Sequence, residues 1–88
     1  MKLRWADEAT EDYDYWHNTN IAIWKKVKAL IKRTQLDPYR GWGRPKKLQR
    51  ELKGCWSRRI TDYDRLVYRI RGKGRKALLE ILQCRGHY

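Results

Sequence analysis

The sequence predicts an α+β fold, with two N-terminal helices packed on a mainly antiparallel, twisted sheet in two layers. Three observations predict it. Apolar residues recur three and four apart over the first third of the chain, at Ala9, Tyr13 and Trp16 and then at Ile23, Trp24, Val27, Leu30 and Ile31. Beyond residue 55 the spacing changes to alternation, rich in β-branched and aromatic residues, in Trp56-Ser57-Arg58-Arg59-Ile60-Thr61 and Arg65-Leu66-Val67-Tyr68-Arg69-Ile70-Arg71. With 88 residues the chain has room for one domain, 1–88, and one core.

Taken in order, Lys2-Leu3-Arg4-Trp5-Ala6 alternates and reads as a short strand with Leu3 and Trp5 inward. Asp7 is a good N-cap, and Glu8, Glu11 and Asp12 suit the positive end of a first helix that stops near Asn18-Thr19. Asn20 caps a second helix, which must end before Pro38. Gly41-Trp42-Gly43-Arg44-Pro45-Lys46-Lys47-Leu48 is a loop; its Gly-x-Gly lacks the third glycine and the helix of a dinucleotide fingerprint. Gln49-Arg50-Glu51-Leu52-Lys53 reads as a short strand leading into a hairpin over Trp56–Arg71. With Asp62-Tyr63-Asp64 as the hairpin loop, Thr61 faces Arg65 and Arg59 faces Val67. Arg59 and Arg65 then share one face, and Trp56, Arg58, Ile60, Leu66, Tyr68 and Ile70 share the other. Gly72-Lys73-Gly74 is a turn, and Lys76–Leu82 is the most apolar strand, apolar on both faces and therefore expected at the centre of the sheet.

The charge is large and uneven. The net charge is +12. Residues 1–39 hold seven Lys/Arg against six Asp/Glu, and residues 40–88 hold fifteen against four. A half with a net +11 points to a polyanionic partner, RNA or DNA first and an acidic protein second, because such self-repulsion otherwise costs a small domain stability. Cys55 and Cys84 fall in no metal-ligand spacing; reduced thiols are expected, with a bond between them as the alternative. The acidic, polar N-terminus from Met1 to Tyr15 resembles neither a signal peptide nor a membrane span, so a cytoplasmic protein is expected.

Guanidinium pairs on a sheet face are shaped to grip a phosphate through parallel hydrogen bonds. His87 follows a strand expected to pair with Arg65–Arg71, which brings an imidazole beside those cations. That combination suits RNA cleavage by the neighbouring 2′-hydroxyl: cations for charge growing on the phosphate, and a proton for the leaving 5′-oxygen. The chemistry requires no metal or other cofactor.

The residues also carry a resemblance. Met1-Lys2-Leu3, Tyr13-x-Tyr15-Trp16, Gly41-x-Gly43-x-Pro45-x-x-Leu48, Trp56-Ser57-Arg58-Arg59-Ile60-Thr61, Arg65-Leu66-Val67-Tyr68 and the ending Cys84-Arg85-x-His87-Tyr88 span nearly the whole chain. By these it resembles the YoeB/Txe toxins of the RelE/ParE superfamily, small bacterial ribonucleases of type II toxin–antitoxin pairs with a RelE-like microbial ribonuclease fold. The resemblance implies metal-independent cleavage of mRNA in the A site of a translating ribosome, a homodimer, and neutralisation by an antitoxin with an acidic, disordered C-terminal segment. It implies that Arg59 and Arg65 hold the scissile phosphate, that His87 donates the proton to the leaving oxygen, and that Tyr88 helps place the RNA. Arg44, Lys47, Gln49 and Arg85 are further expected RNA contacts. The chain departs from the family at Lys46, where a Glu is usual as general base, and at Gln49, where Lys is frequent. Lys46 is read as a charge-stabilising member of the catalytic set, or as the mark of a weakened enzyme. The hairpin at Gly72-Lys73-Gly74 is also longer than the family's.

Two other functions compete. A catalytically silent RNA-, ribosome- or antitoxin-binding protein would bind in a steeply salt-dependent way and leave RNA intact. A partner-dependent DNA binder ranks last, because no recognition-helix signature is present.

Overall fold

The computed structural model describes all residues, Met1–Tyr88. In chain order it contains β1 (Lys2–Trp5), α1 (Asp7–Thr19), α2 (Ile21–Leu36), β2 (Lys46–Lys47), a 3-10 turn at Arg50–Leu52, β3 (Trp56–Arg59), β4 (Arg65–Arg71), a 3-10 turn at Gly74–Lys76 and β5 (Leu78–Gln83). The five strands form one sheet in the order β1-β5-β4-β3-β2. The β1–β5 pair is parallel and the others are antiparallel. The predicted α+β architecture of two helices on a mainly antiparallel sheet is therefore present.

Both helices lie on one face of the sheet. Ala9, Trp16, Val27, Leu30 and Ile31 pack against Ile60, Leu66, Tyr68, Leu79, Ile81 and Cys84 to form the main core. Each fully buried aliphatic side chain contributes about 1.5–3 kcal/mol, more than helix propensity supplies, so packing holds the helices in place. The Asn20 side chain caps α2 by accepting from the Ile23 amide at 3.2 Å, as expected. The expected Asp7 cap is not formed: Ala6 takes the N-cap position with no side-chain bond, and Asp7 is the first helical residue. Leu3 and Trp5 point inward, but β1 is an edge strand, so Leu3 stays exposed and Trp5 half-buried against Tyr13.

Three local expectations are corrected. Gln49–Lys53 is not a strand. Arg50 has a positive φ of 57°, the Leu52 amide bonds back to Gln49 and the Cys55 amide to Leu52, so the chain coils into a turn. That turn seats Leu48 and Cys55, with Leu52, in a second small core against Val67 on the face away from the helices. The β3–β4 loop is five residues, Ile60–Asp64, and Arg59 faces Arg65 directly while Ser57 faces Val67. The amides of Ile60 and Thr61 both donate to the Asp64 carbonyl, which closes the longer loop. A two-residue change of register preserves the faces, so Arg59 and Arg65 still project together. Finally, β5 lies inside the sheet but β4 is its middle strand, and β5 is not apolar on both faces.

The exception on β5 is Glu80, which is buried on the outer face. Arg69 and Arg71 approach its carboxylate at 2.6 and 3.0 Å and Arg4 at 3.6 Å. The hydrogen bond from Arg69 is the main cause holding the Glu80 carboxyl below its ordinary value, against the opposing effect of burial. A lowered carboxyl adds stability above its unfolded value and loses it as pH falls through the folded one. Glu80→Gln is therefore expected to lower the urea midpoint at neutral pH, with the gap narrowing as pH falls and the Glu80 carboxylate takes up its proton. A gap that stays the same size as the pH is lowered would contradict this assignment.

No helix is long and apolar enough to cross a membrane. Both cysteines are free and buried: Cys84 lies in the main core and Cys55 in the small one on the opposite face. Burial pushes the Cys84 thiol up to about 12, which makes it an inert packing residue.

Candidate active site

Neighbouring arginines in β3 take opposite fates. Arg58 points into the helix side and is fully buried. Its guanidinium donates to the carbonyls of Trp42 and Arg40, both at 2.8 Å, to the carbonyl of Asp37 and to the Tyr68 hydroxyl. It thus fixes the chain that follows α2, and that chain carries Gly43 to Lys46. Arg59 points to the outer face, directly opposite Arg65. Like charges opposed across a ladder repel, and neither arginine has a carboxylate partner, since the three ion pairs of the molecule all converge on Glu80.

The loop from α2 lies over this pair. The Gly43 carbonyl accepts from the Arg59 amide at 2.6 Å. Gly43 has φ +82°, and a Cβ there would stand 3.0 Å from the Arg58 Cβ and 3.1 Å from the Arg59 carbonyl oxygen, so only glycine allows this approach. Lys46 in β2 pairs with Ser57 and sits on the same outer face.

The C-terminal tail closes the third side. The Cys84 amide donates to Asp12 at 3.0 Å, and its carbonyl accepts from the Trp16 indole at 2.8 Å. Burial raises the Asp12 carboxyl while that amide lowers it. Gly86 is held twice: its amide donates to Asp64 at 2.7 Å and its carbonyl accepts from the Arg65 amide at 2.9 Å. His87 and Tyr88 follow, with their rings stacked at 4.9 Å and the Tyr88 hydroxyl 3.3 Å from Ser57 Oγ. The His87 Nδ1 is 3.2 Å from the Tyr88 carbonyl oxygen.

The result is a cleft of about 200 Å³ lined by Gly43, Arg44, Lys46, Ser57, Arg59, Arg65, His87 and Tyr88. Four cations and one imidazole converge there without an Asp or Glu side chain. A second groove of about 160 Å³, between β1 and α2, is lined by Leu3, Trp5, Tyr13, Lys28, Ile31, Lys32 and Gln35 and offers only two lysines of one helix as cations. The chemistry-bearing groups are in the first cleft.

Six of the expected residues, Arg44, Lys46, Arg59, Arg65, His87 and Tyr88, line it together. Three do not. Lys47 pairs with Trp56 and so faces away from Lys46. Gln49 lies beyond the strand, outside the cleft lining. Arg85 turns toward α1, where its guanidinium stacks on Tyr15 at 3.6 Å. Glu51, the nearest carboxylate in sequence, is exposed in the 3-10 turn. Ser57 was not anticipated, although its position two residues before Arg59 on an alternating strand places it on the same face.

A model of the YoeB-like toxins of bacterial type II toxin–antitoxin systems matches residues 5–88. The chain belongs to this family. It is 46% identical over 88 residues to the toxin YoeB of Escherichia coli K12, covering all of both chains. The YoeB/ParE toxin from Agrobacterium tumefaciens superimposes over the full length of both chains with a TM-score of 0.97 at 41% identity. The YoeB toxin of Staphylococcus aureus, solved as a dimer and in a heterotetrameric complex with YefM antitoxin, matches at TM-scores of 0.87 and 0.86 and 31% identity, over 100% of this chain and 98% of that one. As a YoeB-like toxin the chain carries Lys46, not the carboxylate expected from the family pattern, in the lining of its cationic cleft.

Proposed function

We propose that this YoeB-like toxin is a ribosome-dependent endoribonuclease that cuts mRNA in the ribosomal A site and so inhibits translation. The observation that carries this is the convergence of Arg44, Lys46, Arg59 and Arg65 around His87 and Tyr88 in one open cleft. In the reaction the 2′-oxygen forms a bond to phosphorus and the bond to the 5′-oxygen breaks. Arg59 and Arg65 hold the non-bridging oxygens as charge develops on them. Protonated His87 gives its proton to the departing 5′-oxygen, and the 2′-hydroxyl proton leaves to solvent. Lys46 adds a cation that stabilises the forming 2′-alkoxide, in place of a carboxylate that would take its proton. Tyr88, steadied by Ser57, offers a ring on which a base can stack.

The same reading extends to partners and place. It includes an antitoxin with an acidic C-terminal segment, as complementary charge for the basic half of the chain, a homodimer, and a cytoplasmic location.

The mechanism is tested by its product ends. Attack by the 2′-oxygen leaves a 2′,3′-cyclic phosphate and a 5′-hydroxyl, so the downstream fragment should be labelled by polynucleotide kinase without prior phosphatase treatment. A 5′-phosphate would overturn it. Lys46→Glu is expected to cut faster than the native chain, because it supplies the missing base; equal or slower cutting would show that the cations suffice.

A second reading, a binding protein that performs no chemistry, is favoured by one observation: none of the eight lining residues is Asp or Glu. It predicts retention of intact RNA, with affinity falling steeply as salt rises.

A further inference from the structure

The groups that would hold the phosphate and deliver the proton come from parts of the chain far apart in sequence, Arg65 at the start of β4 and His87 in the tail. One short loop touches Arg65 and the residue just before His87. Asp64 is buried, and its two carboxylate oxygens have separate tasks. Oδ1 accepts from the Gly86 amide at 2.7 Å, one residue before His87. Oδ2 accepts from the Thr61 hydroxyl at 2.7 Å, and that hydroxyl accepts in turn from the amides of Tyr63 and Asp64 at 3.1 and 2.8 Å. The carbonyls of Thr61 and Asp64 accept from the Arg65 guanidinium at 2.8 and 3.0 Å. The Arg65 amide completes the ring by donating to Gly86.

We propose that Asp64 is a positioning residue: its carboxylate clamps Gly86 to the Thr61–Asp64 loop and thereby sets His87 against the Arg65 guanidinium. This rests on the catalytic role proposed for the cleft. His87 itself is exposed and bonds only to its own neighbour, so the backbone at Gly86 is what limits where its imidazole can reach. Gly86 has φ +77°, a conformation open to glycine, and nothing lies within 4 Å of where its Cβ would be. No side chain of its own anchors this turn, and the bonds to Asp64 and Arg65 hold its backbone. Asp64 does not line the cleft and touches no substrate in this account.

The test combines two readouts on Asp64→Ala, Asp64→Asn and the native chain. The first is the rate constant for cleavage on programmed ribosomes, at saturating protein and as a function of protein concentration. Loss of alignment is expected to lower the saturated rate by about 10–100-fold in Asp64→Ala while the half-saturating concentration stays within about twofold. Asparagine keeps an oxygen for Gly86, so Asp64→Asn is expected to recover most of the rate. The second readout is amide hydrogen exchange at Gly86 by NMR, which needs no activity. Exchange should accelerate in Asp64→Ala, with the core amides of Leu66 and Ile81 still protected. An unchanged saturated rate in Asp64→Ala, or a rate lost equally in Asp64→Asn and Asp64→Ala, would overturn the proposal. So would unchanged exchange at Gly86, even if the native chain cuts nothing and the catalytic role of the cleft fails on its own.

Discussion

His87→Ala is expected to slow mRNA cleavage on programmed ribosomes by about 10²–10⁴-fold, the range that a positioned proton donor supplies. The 5′-oxygen of a phosphodiester is a poor leaving group until it is protonated, and no other side chain lining the cleft is an imidazole or a carboxyl. The fold should not change, because His87 is exposed and its ring stacks on the equally exposed Tyr88. Unfolding free energies from urea titration should therefore agree to within about 0.5 kcal/mol, as for surface substitutions generally. Arg65→Ala should lose cleavage as well, but with some loss of stability, since its guanidinium ties down the Thr61 and Asp64 carbonyls. Cleavage within threefold of native in both variants would remove these residues from the mechanism.

The second large effect lies on the other face of the same strand. Arg58→Leu is expected to destabilise the protein by about 3 kcal/mol, because three carbonyls and the Tyr68 hydroxyl lose their donor together. A chain of this size has only about 4–13 kcal/mol of stability in all. Arg58→Lys should recover little of it, since one ammonium cannot reach partners spread over Asp37, Arg40, Trp42 and Tyr68. Arg59→Leu, one residue away, should change stability by less than about 1 kcal/mol, because it also relieves the repulsion with Arg65. Denaturant unfolding followed by tryptophan fluorescence reads both. Equal effects at the two positions would refute the division of labour between these arginines.

Side-chain periodicity made much of this legible from the sequence. The Asn20 cap, the end of α2 ahead of Pro38 and the apolar stripe from Ile23 to Ile31 are local patterns, and local patterns survive folding. The shared face of Arg59 and Arg65 was legible even though the register was not, since parity survives a shift of two residues. What escaped depends on backbone turns and on distant partners. Gln49–Lys53 lies just ahead of the hairpin and reads as a lead-in strand, but a left-handed Arg50 turns it back on itself. Glu80 reads as a stray charge in an apolar strand until Arg4, Arg69 and Arg71 are brought around it. Arg85 belongs to the same ending as His87, yet stacks on Tyr15 of α1. Asp64 looks like an ordinary loop residue until Gly86, 22 positions later, donates to it.

The most direct test of the central claim is a primer-extension map of mRNA incubated with the protein, with programmed ribosomes and without them, and with Lys46→Glu in parallel. Cuts at the A-site codon that require ribosomes are predicted for the native chain, stronger for Lys46→Glu and absent for His87→Ala. Intact message with both the native chain and Lys46→Glu would contradict the account and leave a YoeB-like protein that binds RNA without cutting it.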